Sequence, residues 1–255
     1  MALSARPYLR EISLRADPAI DFDQYPFNIP AIRELGALTF HPAVTFLVGE
    51  NGAGKSTILE AIAVAMGLPA EGGSRHVNRP QQAASPLHAI IKTVTGFQKP
   101  RWSYFLRAES VFSVISYIDH VRWTSAPPGD APPPDNSLHH RSHGEAFMAL
   151  LLELGEDGFY LLDEPEAALS PNRQLAALSV IDQLVKAGCQ FIIATHSPIL
   201  LAYPNAKILV CDATGITETA YEDTEHYAVT RDFLNHYPRR LEQLLADSSD
   251  GEDED

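Results

Sequence analysis

GENGAGKST, residues 49–57, is the stretch that decides how the rest of the chain is interpreted. It follows the apolar run Val44–Val48 and precedes the helix-favouring residues 58–66, so that a strand, a glycine-rich loop and a helix come in succession. The spacing matches G-x-x-x-x-G-K-[ST], in which glycines let successive backbone N–H groups turn toward a polyphosphate at the positive end of the helix dipole. The sequence therefore predicts a nucleotide site.

Three side chains after the loop have distinct expected tasks. Lys55 is expected to reach the β- and γ-phosphates as a point charge, Ser56 to hold Mg²⁺ beside them, and Thr57 to donate to the α-phosphate. The loop residues whose backbone is expected to surround the phosphates are Glu50, Asn51, Gly52, Ala53 and Gly54. A glycine-rich turn that merely contains a lysine is the alternative, and the strand–loop–helix context disfavours it.

Length and composition predict an ordinary globular chain. The 255 residues are 45% hydrophobic and 20% charged, which suits one large α/β domain or two small ones, and we expect a single domain over residues 1–246. No apolar run approaches the roughly 20 residues that a membrane-spanning helix needs, and the first ten residues lack the apolar core of a secretory signal. The expectation is a cytoplasmic protein that does not insert into a membrane.

Charge and cysteine content narrow the function classes. The net charge is −14, and the tail over residues 247–255, expected to be disordered, supplies much of it. An acidic body argues against loose, charge-driven binding to nucleic acid or anionic lipid, although a local basic patch stays open. The two cysteines, Cys189 and Cys211, allow neither a disulfide framework nor a four-cysteine zinc site.

The first part of the chain predicts an antiparallel layer. Residues 8–15 alternate as a strand does, and residues 38–40 and 44–48 are expected to complete a small antiparallel layer that leads into the loop. Tyr25 and Phe27 lie where an aromatic ring could stack on adenine, but packing is the favoured role for each. Further along, residues 86–94 suggest a short helix.

Two buried-strand patterns end in polar residues that suit phosphate chemistry. Residues 159–165, FYLLDEP, bring Asp163 and Glu164 to the carboxyl edge of a parallel sheet, where Asp163 would help hold Mg²⁺ and Glu164 would orient and deprotonate the attacking water. Residues 191–194 lead to His196, which could bond the γ-phosphate at the same edge. A capped strand end and a structural histidine are the alternatives.

The segments GENGAGKS, SHGE, YLLDEPEAALSP and ATHSP together resemble the ATP-binding-cassette (ABC) class of P-loop ATPases. That class includes the cytoplasmic subunits of ABC transporters and the heads of SMC and RecF-like proteins. The pairing of FLRAES with ATHSPILLAYP is most similar to small stand-alone bacterial ATPases of the AAA family. The resemblance covers nearly the whole chain and implies ATP as the nucleotide, with Mg²⁺.

The resemblance also implies a shared site. Ser142 and Gly144, followed by Glu145, correspond to the signature that contacts the γ-phosphate bound by the other subunit, which implies an ATP-dependent homodimer. Glu145 stands where transporters commonly have glutamine. Glu109 occupies the region where a glutamine normally senses Mg²⁺, so it becomes a candidate for the metal site.

The implied fold is α/β: a mostly parallel sheet flanked by helices, with the N-terminal antiparallel layer and a small helical lobe over about residues 85–157. The sequence lacks a clear transporter-coupling segment and a heptad-bearing insertion. A stand-alone regulatory or defence ATPase with a protein partner is therefore favoured. A transporter subunit and a nucleic-acid-associated ATPase stay open.

Overall fold

A computed structural model describes residues 7–74, 84–107 and 143–246, and the account below concerns those residues. The helices are α1 (Pro30–Arg33), α2 (Lys55–Ala65), α3 (Leu87–Ile90), α4 (His143–Leu152), α5 (Pro171–Lys186), α6 (Pro198–Leu201) and α7 (Glu225–Ala246). The strands are β1 (Leu9–Leu14), β2 (Leu38–Thr39), β3 (Val44–Val48), β4 (Gly73–Ser74), β5 (Ile91–Thr95), β6 (Trp102–Arg107), β7 (Gly158–Asp163), β8 (Gln190–Ala194), β9 (Lys207–Asp212) and β10 (Gly215–Thr219).

The main sheet has seven strands in the order β10-β9-β3-β8-β7-β6-β4. The five inner strands are parallel, and β10 and β4 run antiparallel at the two edges. Because β3, β7 and β8 are covered on both faces, all their residues are buried and most are apolar. The predicted α/β fold with a mostly parallel sheet is confirmed.

One strand lies elsewhere than predicted. Val44–Val48 does not belong to the antiparallel layer but forms the central strand β3, parallel to both β8 and β9. All five residues of β3 are buried, as in a strand covered on both sides. A short apolar run does not distinguish a central parallel strand from one in a small antiparallel sheet, which explains the error.

The antiparallel layer exists as a separate three-stranded sheet in the order β2-β1-β5. Its third strand, β5, lies where the sequence pattern of residues 86–94 predicts a short helix. The helix there spans only Leu87–Ile90, and Ile91 begins β5, which pairs with β1. Ile91–Thr95 contains three β-branched threonine and valine residues after Lys92, which favour a strand over a helix.

The expected helical lobe over residues 85–157 is not uniformly helical. Its described part contains β5 in the small sheet and β6 in the main sheet, followed after the gap by α4. The remaining part of that range, residues 108–142, lies outside the described residues, as does the acidic tail.

A buried glutamine joins the two sheets. Gln190 of β8 accepts hydrogen bonds at Oε1 from the backbone N–H groups of Tyr8 (2.8 Å) and Leu9 (3.0 Å). Its Nε2 donates to the carbonyl oxygens of Leu9 (2.9 Å) and His41 (3.0 Å). The side chain is fully buried, so it satisfies backbone groups that water does not reach. This arrangement fixes the small sheet against the sheet that carries the loop.

The last helix, α7, is kinked. It begins at Glu225, and His236 departs from helical backbone angles two residues before Pro238. A proline inside a helix removes one backbone donor and crowds the preceding turn, which accounts for the kink. Among the helices of the described ranges, none combines the length and the apolar character needed to cross a membrane.

Candidate nucleotide site

The candidate site forms where the parallel strands end. Strand β3 runs into the glycine-rich loop, β7 ends at Asp163, and β8 ends at Ala194, which pairs in register with both Leu47 and Asp163. Because the carboxyl ends of parallel strands share one edge, the loop and the residues after β7 and β8 become neighbours. The strand order therefore brings together motifs separated by more than a hundred residues.

The loop turns through backbone conformations that glycine permits. Gly49, Gly52 and Gly54 have φ values of 141°, 84° and 95°, in the region that other residues rarely adopt. A Cβ on Gly49 would collide with the carbonyl oxygen of Cys211 at the end of β9. Gly49 is thus required both for the turn and for the close approach of β9.

Lys55 lies folded over the loop. Its Nζ donates hydrogen bonds to the carbonyl oxygens of Gly49 and Glu50, both at 2.8 Å. Burial lowers the pKa of Lys55, while the nearby carboxylate of Glu164 acts in the opposite direction. A buried ammonium group satisfied by carbonyl oxygens is ready to exchange them for the stronger acceptor oxygens of a phosphate.

Ser56 and Asp163 are in direct contact, since Ser56 Oγ donates to Oδ1 of Asp163 at 2.9 Å. Hydroxyl and carboxylate oxygens are the ligands that Mg²⁺ prefers, so this pair fits the metal that the sequence implied. The other carboxylate oxygen of Asp163 lies 3.2 Å from Nε of Arg107, which ends the adjacent strand β6. The sequence alone does not point to Arg107, because its pairing with Asp163 depends on the order of the strands in the sheet.

Glu164 and His196 face each other across the strand edge. His196 Nε2 lies 3.8 Å from Oε1 of Glu164, and within the described residues this nitrogen is buried without a hydrogen-bond partner. Glu164 adopts a left-handed backbone conformation, with φ 49° and ψ 53°. Burial lowers the pKa of His196, and the charge of Lys55 acts in the same direction. Both effects favour the neutral form of the imidazole.

Glu166 fixes the turn that carries His196. One carboxylate oxygen accepts from Oγ1 of Thr195 at 2.7 Å, and the other accepts from the backbone N–H of His196 at 2.5 Å. No sequence pattern distinguishes Glu166 from its neighbours in DEPEAALSP. Its two bonds couple the segment after β7 to the segment after β8.

Glu164, Glu166 and His196 border an open cleft of about 770 Å³, within the usual range of roughly 300–1,000 Å³ for small-molecule sites. The described residues that line it are Glu50, Asn51, Glu164, Glu166, His196, Glu225, His226, Val229 and Thr230. The last four belong to the first turns of α7, so this helix forms one wall of the cleft. The sequence alone does not predict that α7 borders the site.

The two aromatic candidates for adenine stacking, Phe27 and Tyr25, differ in their exposure. Phe27 is buried in the core and packs edge-to-face against Phe22, as the packing interpretation expected. Tyr25 is 61% exposed, and its hydroxyl lies 3.2 Å from Oγ1 of Thr57. Tyr25 is therefore the one of the two whose ring is accessible beside the loop.

Gly144 and Glu145, the two signature residues that the structure describes, do not line this cleft. Gly144 sits at the start of α4 against Arg173 and the carbonyl oxygen of Ala168, and Glu145 forms a 3.1 Å ion pair with Arg173. Among the described residues that line the cleft, neither Gly144 nor Glu145 is present. Ser142 and Glu109 lie outside the described residues, so their expected roles stay predictions.

Two family models match separate parts of the chain. Residues 27–97, which contain the glycine-rich loop, match a family described as "AAA domain". Residues 146–202, which contain Asp163, Glu164 and His196, match a family described as "AAA domain, putative AbiEii toxin, Type IV TA system". The two matches thus cover both halves of the strand edge at which the site forms.

Relatives with ATP-binding names match over longer spans. The hemin import ATP-binding protein HmuV of Nocardia farcinica is 28% identical over 95% of this chain and 88% of its own length. The energy-coupling factor transporter ATP-binding protein EcfA2 of Methanospirillum hungatei is 27% identical over 79% of this chain and 55% of its own. Among solved structures, cbiO1 of Clostridium perfringens, described as part of the ABC transporter complex cbiONQ, aligns with a TM-score of 0.50 and 16% identity, covering 94% of this chain and 98% of its own.

Proposed function

We propose that this P-loop ATPase of the ABC/AAA class binds ATP with Mg²⁺ at the strand edge and hydrolyses it as two copies of the chain associate. The observation that carries the proposal is the convergence of the buried Lys55 amine, the Ser56–Asp163 pair, Glu164 and His196 at the ends of β3, β7 and β8. Each group has the chemistry that phosphoryl transfer requires, and the glycine-rich loop begins the helix that receives the phosphates.

Binding depends on the loop and its lysine. The backbone N–H groups at the start of α2 and the Lys55 amine bind the phosphate oxygens, with Lys55 giving up the carbonyl oxygens of Gly49 and Glu50. Ser56 and Asp163 would hold Mg²⁺, which supplies positive charge against the phosphate oxygens when bound. The exposed ring of Tyr25 is the candidate to contact the base.

Two groups act on the water and the terminal phosphate. Glu164 orients the attacking water and takes its proton, which requires an ionised carboxylate facing the cleft. His196 donates from its buried ring nitrogen to the charge that develops on the γ-phosphate oxygens. Glu166 keeps His196 in place through the backbone N–H.

The position of the signature segment supports association of two copies. Gly144 and Glu145 pack against the segment after β7 and the start of α5, and they do not line the cleft of their own chain. If they contact the nucleotide, as the resemblance implies, they must reach the site of a second copy. The site would then be complete only in an ATP-bound dimer.

The Glu164→Gln variant tests this proposal directly. It keeps the size and hydrogen bonding of the side chain but removes the base, so hydrolysis should fall by roughly 10² to 10⁴ while ATP and Mg²⁺ still bind. Size-exclusion chromatography with light scattering should show a dimer with ATP–Mg²⁺ and a monomer with ADP–Mg²⁺.

Glu222→Gln, an exposed site away from the cleft, is the matched control and should behave as wild type. Undiminished turnover in Glu164→Gln would remove that residue from catalysis. A variant that binds ATP yet stays monomeric at high concentration would overturn the homodimer and require a different partner to supply the signature.

The purpose that we propose for hydrolysis is regulation of a protein partner. Helix α7 begins at the cleft and exposes large apolar side chains along its length, namely Val229, Leu234, Tyr237, Leu241 and Leu245. Exposed apolar surface of this kind commonly contacts another protein. A transporter subunit is the second candidate, favoured by the names of the relatives HmuV and EcfA2, and co-purification with a membrane protein would support it.

A further inference from the structure

A second histidine touches His196 from the opposite wall of the cleft. His226 lies in the first turn of α7, and its Nε2 is 3.2 Å from Nδ1 of His196. The two rings are 5.3 Å apart between centroids and tilted by 46°. The distance is that of a hydrogen bond, so one of these nitrogens donates and the other accepts.

The surroundings of both rings favour their neutral forms, and two neutral imidazoles can form such a bond. Burial lowers the pKa of His226, and the neighbouring His196 acts in the same direction. The pKa of His196 is lowered as well. The charged groups that face the pair are Lys55, Glu164, Glu166 and Glu225. Two imidazolium rings would place two N–H donors against each other, whereas in two neutral rings an N–H of one can donate to the lone pair of the other.

A neutral pair has two possible arrangements. If His196 donates from Nδ1, its Nε2 carries a lone pair. If His226 donates from Nε2, the Nδ1 of His196 is the acceptor and its Nε2 carries the proton. The two arrangements present opposite chemistry to the cleft, because the first offers an acceptor there and the second offers a donor.

The surroundings of His196 Nε2 favour the second arrangement. This nitrogen is buried, has no hydrogen-bond partner within the described residues, and lies 3.8 Å from the carboxylate of Glu164. A lone pair would face a carboxylate oxygen at close range, whereas an N–H points its positive end at it. The terminal phosphate of a nucleotide also presents acceptors alone, so it can pair only with a donor at this position.

We propose that His226 is a positioning residue for ATP hydrolysis, which donates from Nε2 to Nδ1 of His196 and thereby holds His196 in the tautomer with its proton on Nε2. This inference rests on the proposed function, since the donor is useful only if the γ-phosphate enters the cleft. Through this bond, His226 on α7 determines the tautomer of His196, which follows β8.

Side-chain substitutions separate this role from simple packing. His226→Leu keeps an apolar side chain but removes the donor, so kcat should fall about 10- to 100-fold with ATP affinity changed less than about threefold. His226→Gln carries an amide N–H₂ that reaches a similar position, so kcat should stay within about threefold of wild type. His236→Leu, an exposed histidine on the same helix, is the control and should leave kcat unchanged.

Nitrogen-15 NMR of histidine-labelled protein reads the tautomer without any need for turnover. Wild-type His196 should show a protonated Nε2 and a bare Nδ1, and His226→Leu should show a mixture. A wild-type spectrum with the proton on Nδ1 of His196, or a His226→Leu variant with wild-type kcat, would overturn the proposal. If the wild type hydrolyses no ATP, the proposed function fails, while the NMR result still decides the tautomer.

Discussion

Ser56 Oγ donates a 2.9 Å hydrogen bond to Oδ1 of Asp163, and this bond joins the first turn of α2 to the end of β7. The two oxygens expected to hold Mg²⁺ are therefore adjacent. A site whose ligands are already close requires little rearrangement on binding, which is the general benefit of preorganisation. The proximity of these two proposed Mg²⁺ ligands thus follows from the pairing of β3, β8 and β7.

Replacing either member of this pair should raise the Mg²⁺ concentration needed for activity. Ser56→Ala removes the hydroxyl, and Asp163→Asn removes the negative charge, so half-saturating Mg²⁺ should rise on the order of tenfold or more for each. Titration of ATPase activity with Mg²⁺ measures the change. Asp182→Asn, a carboxylate on α5 paired with Lys186, is the control. Unchanged Mg²⁺ dependence in Ser56→Ala and Asp163→Asn would contradict the assignment.

Lys55→Ala should abolish measurable ATP binding. The substitution removes the buried amine that donates to the loop carbonyl oxygens. The variant then has no positive side chain at this position to bind the phosphate oxygens. Equilibrium binding of a fluorescent ATP analogue measures the loss, and circular dichroism checks that the chain folds. Lys92→Ala on β5, an exposed lysine, should bind as wild type does. A folded Lys55→Ala protein with wild-type affinity would remove the loop from nucleotide binding.

Mixing two inactive variants should restore part of the activity if each site draws on two copies. A Lys55→Ala subunit lacks its nucleotide site, and a Ser142→Arg subunit lacks its signature, yet one of the two sites in a mixed dimer keeps both intact halves. Activity should rise on mixing toward a fraction of the wild-type value and depend on the ratio of the two chains. If freely exchanging variants give no recovery, the signature does not act in trans.

Gln190→Leu should destabilise the fold by about 2–4 kcal/mol. The substitution leaves the backbone groups of Tyr8, Leu9 and His41 without the partner that the glutamine supplies in a buried region, and such groups cost about 1–3 kcal/mol each before relaxation. Chemical denaturation measures the change in the free energy of unfolding. Gln183→Leu on the exposed side of α5 should change it little. Equal stability of the two variants would show that the small sheet is held by other contacts.

The exposed apolar face of α7 should matter for a partner and not for basal hydrolysis. Leu234→Asp and Leu245→Asp place a charge on side chains that are both 67% exposed, so folding and ATPase activity should stay within about twofold of wild type. In the Glu164→Gln background with ATP, a protein partner recovered by affinity purification should be lost with these substitutions. Glu242→Asp, a substitution on the same helix that keeps its charge, is the control. A partner retained in full by both aspartate variants would place the contact elsewhere.

The candidate site residues that lie in continuous motifs could be named from the sequence alone. Residues 49–57, Asp163, Glu164 and His196 are recognisable because the motif fixes both the residue type and its place relative to a strand end. The parallel order of the sheet then brings them together as expected.

The contributions of Arg107, Glu166 and His226 could not be predicted, because each depends on a contact between elements distant in sequence. Arg107 meets Asp163 through the pairing of β6 with β7, and His226 meets His196 because α7 packs back onto the cleft. The misassigned strand β3 has a similar origin, since burial on both faces is a property of its neighbours. Local pattern fixes an element, whereas strand order and packing decide which residues it meets.

The left-handed backbone conformation at Glu164 lowers the stability of the fold at a position where we propose a catalytic carboxylate. With φ at 49°, this position is one where glycine or asparagine would fold with less strain, by about 1 kcal/mol or more. Neither substitute can take a proton from water at neutral pH. Selection of this chain for thermal stability alone should therefore favour a substitution at position 164 and give a more stable protein without ATPase activity. If Glu164 is the base that we propose, the strain at this position is the thermodynamic cost of placing a carboxylate directly after β7.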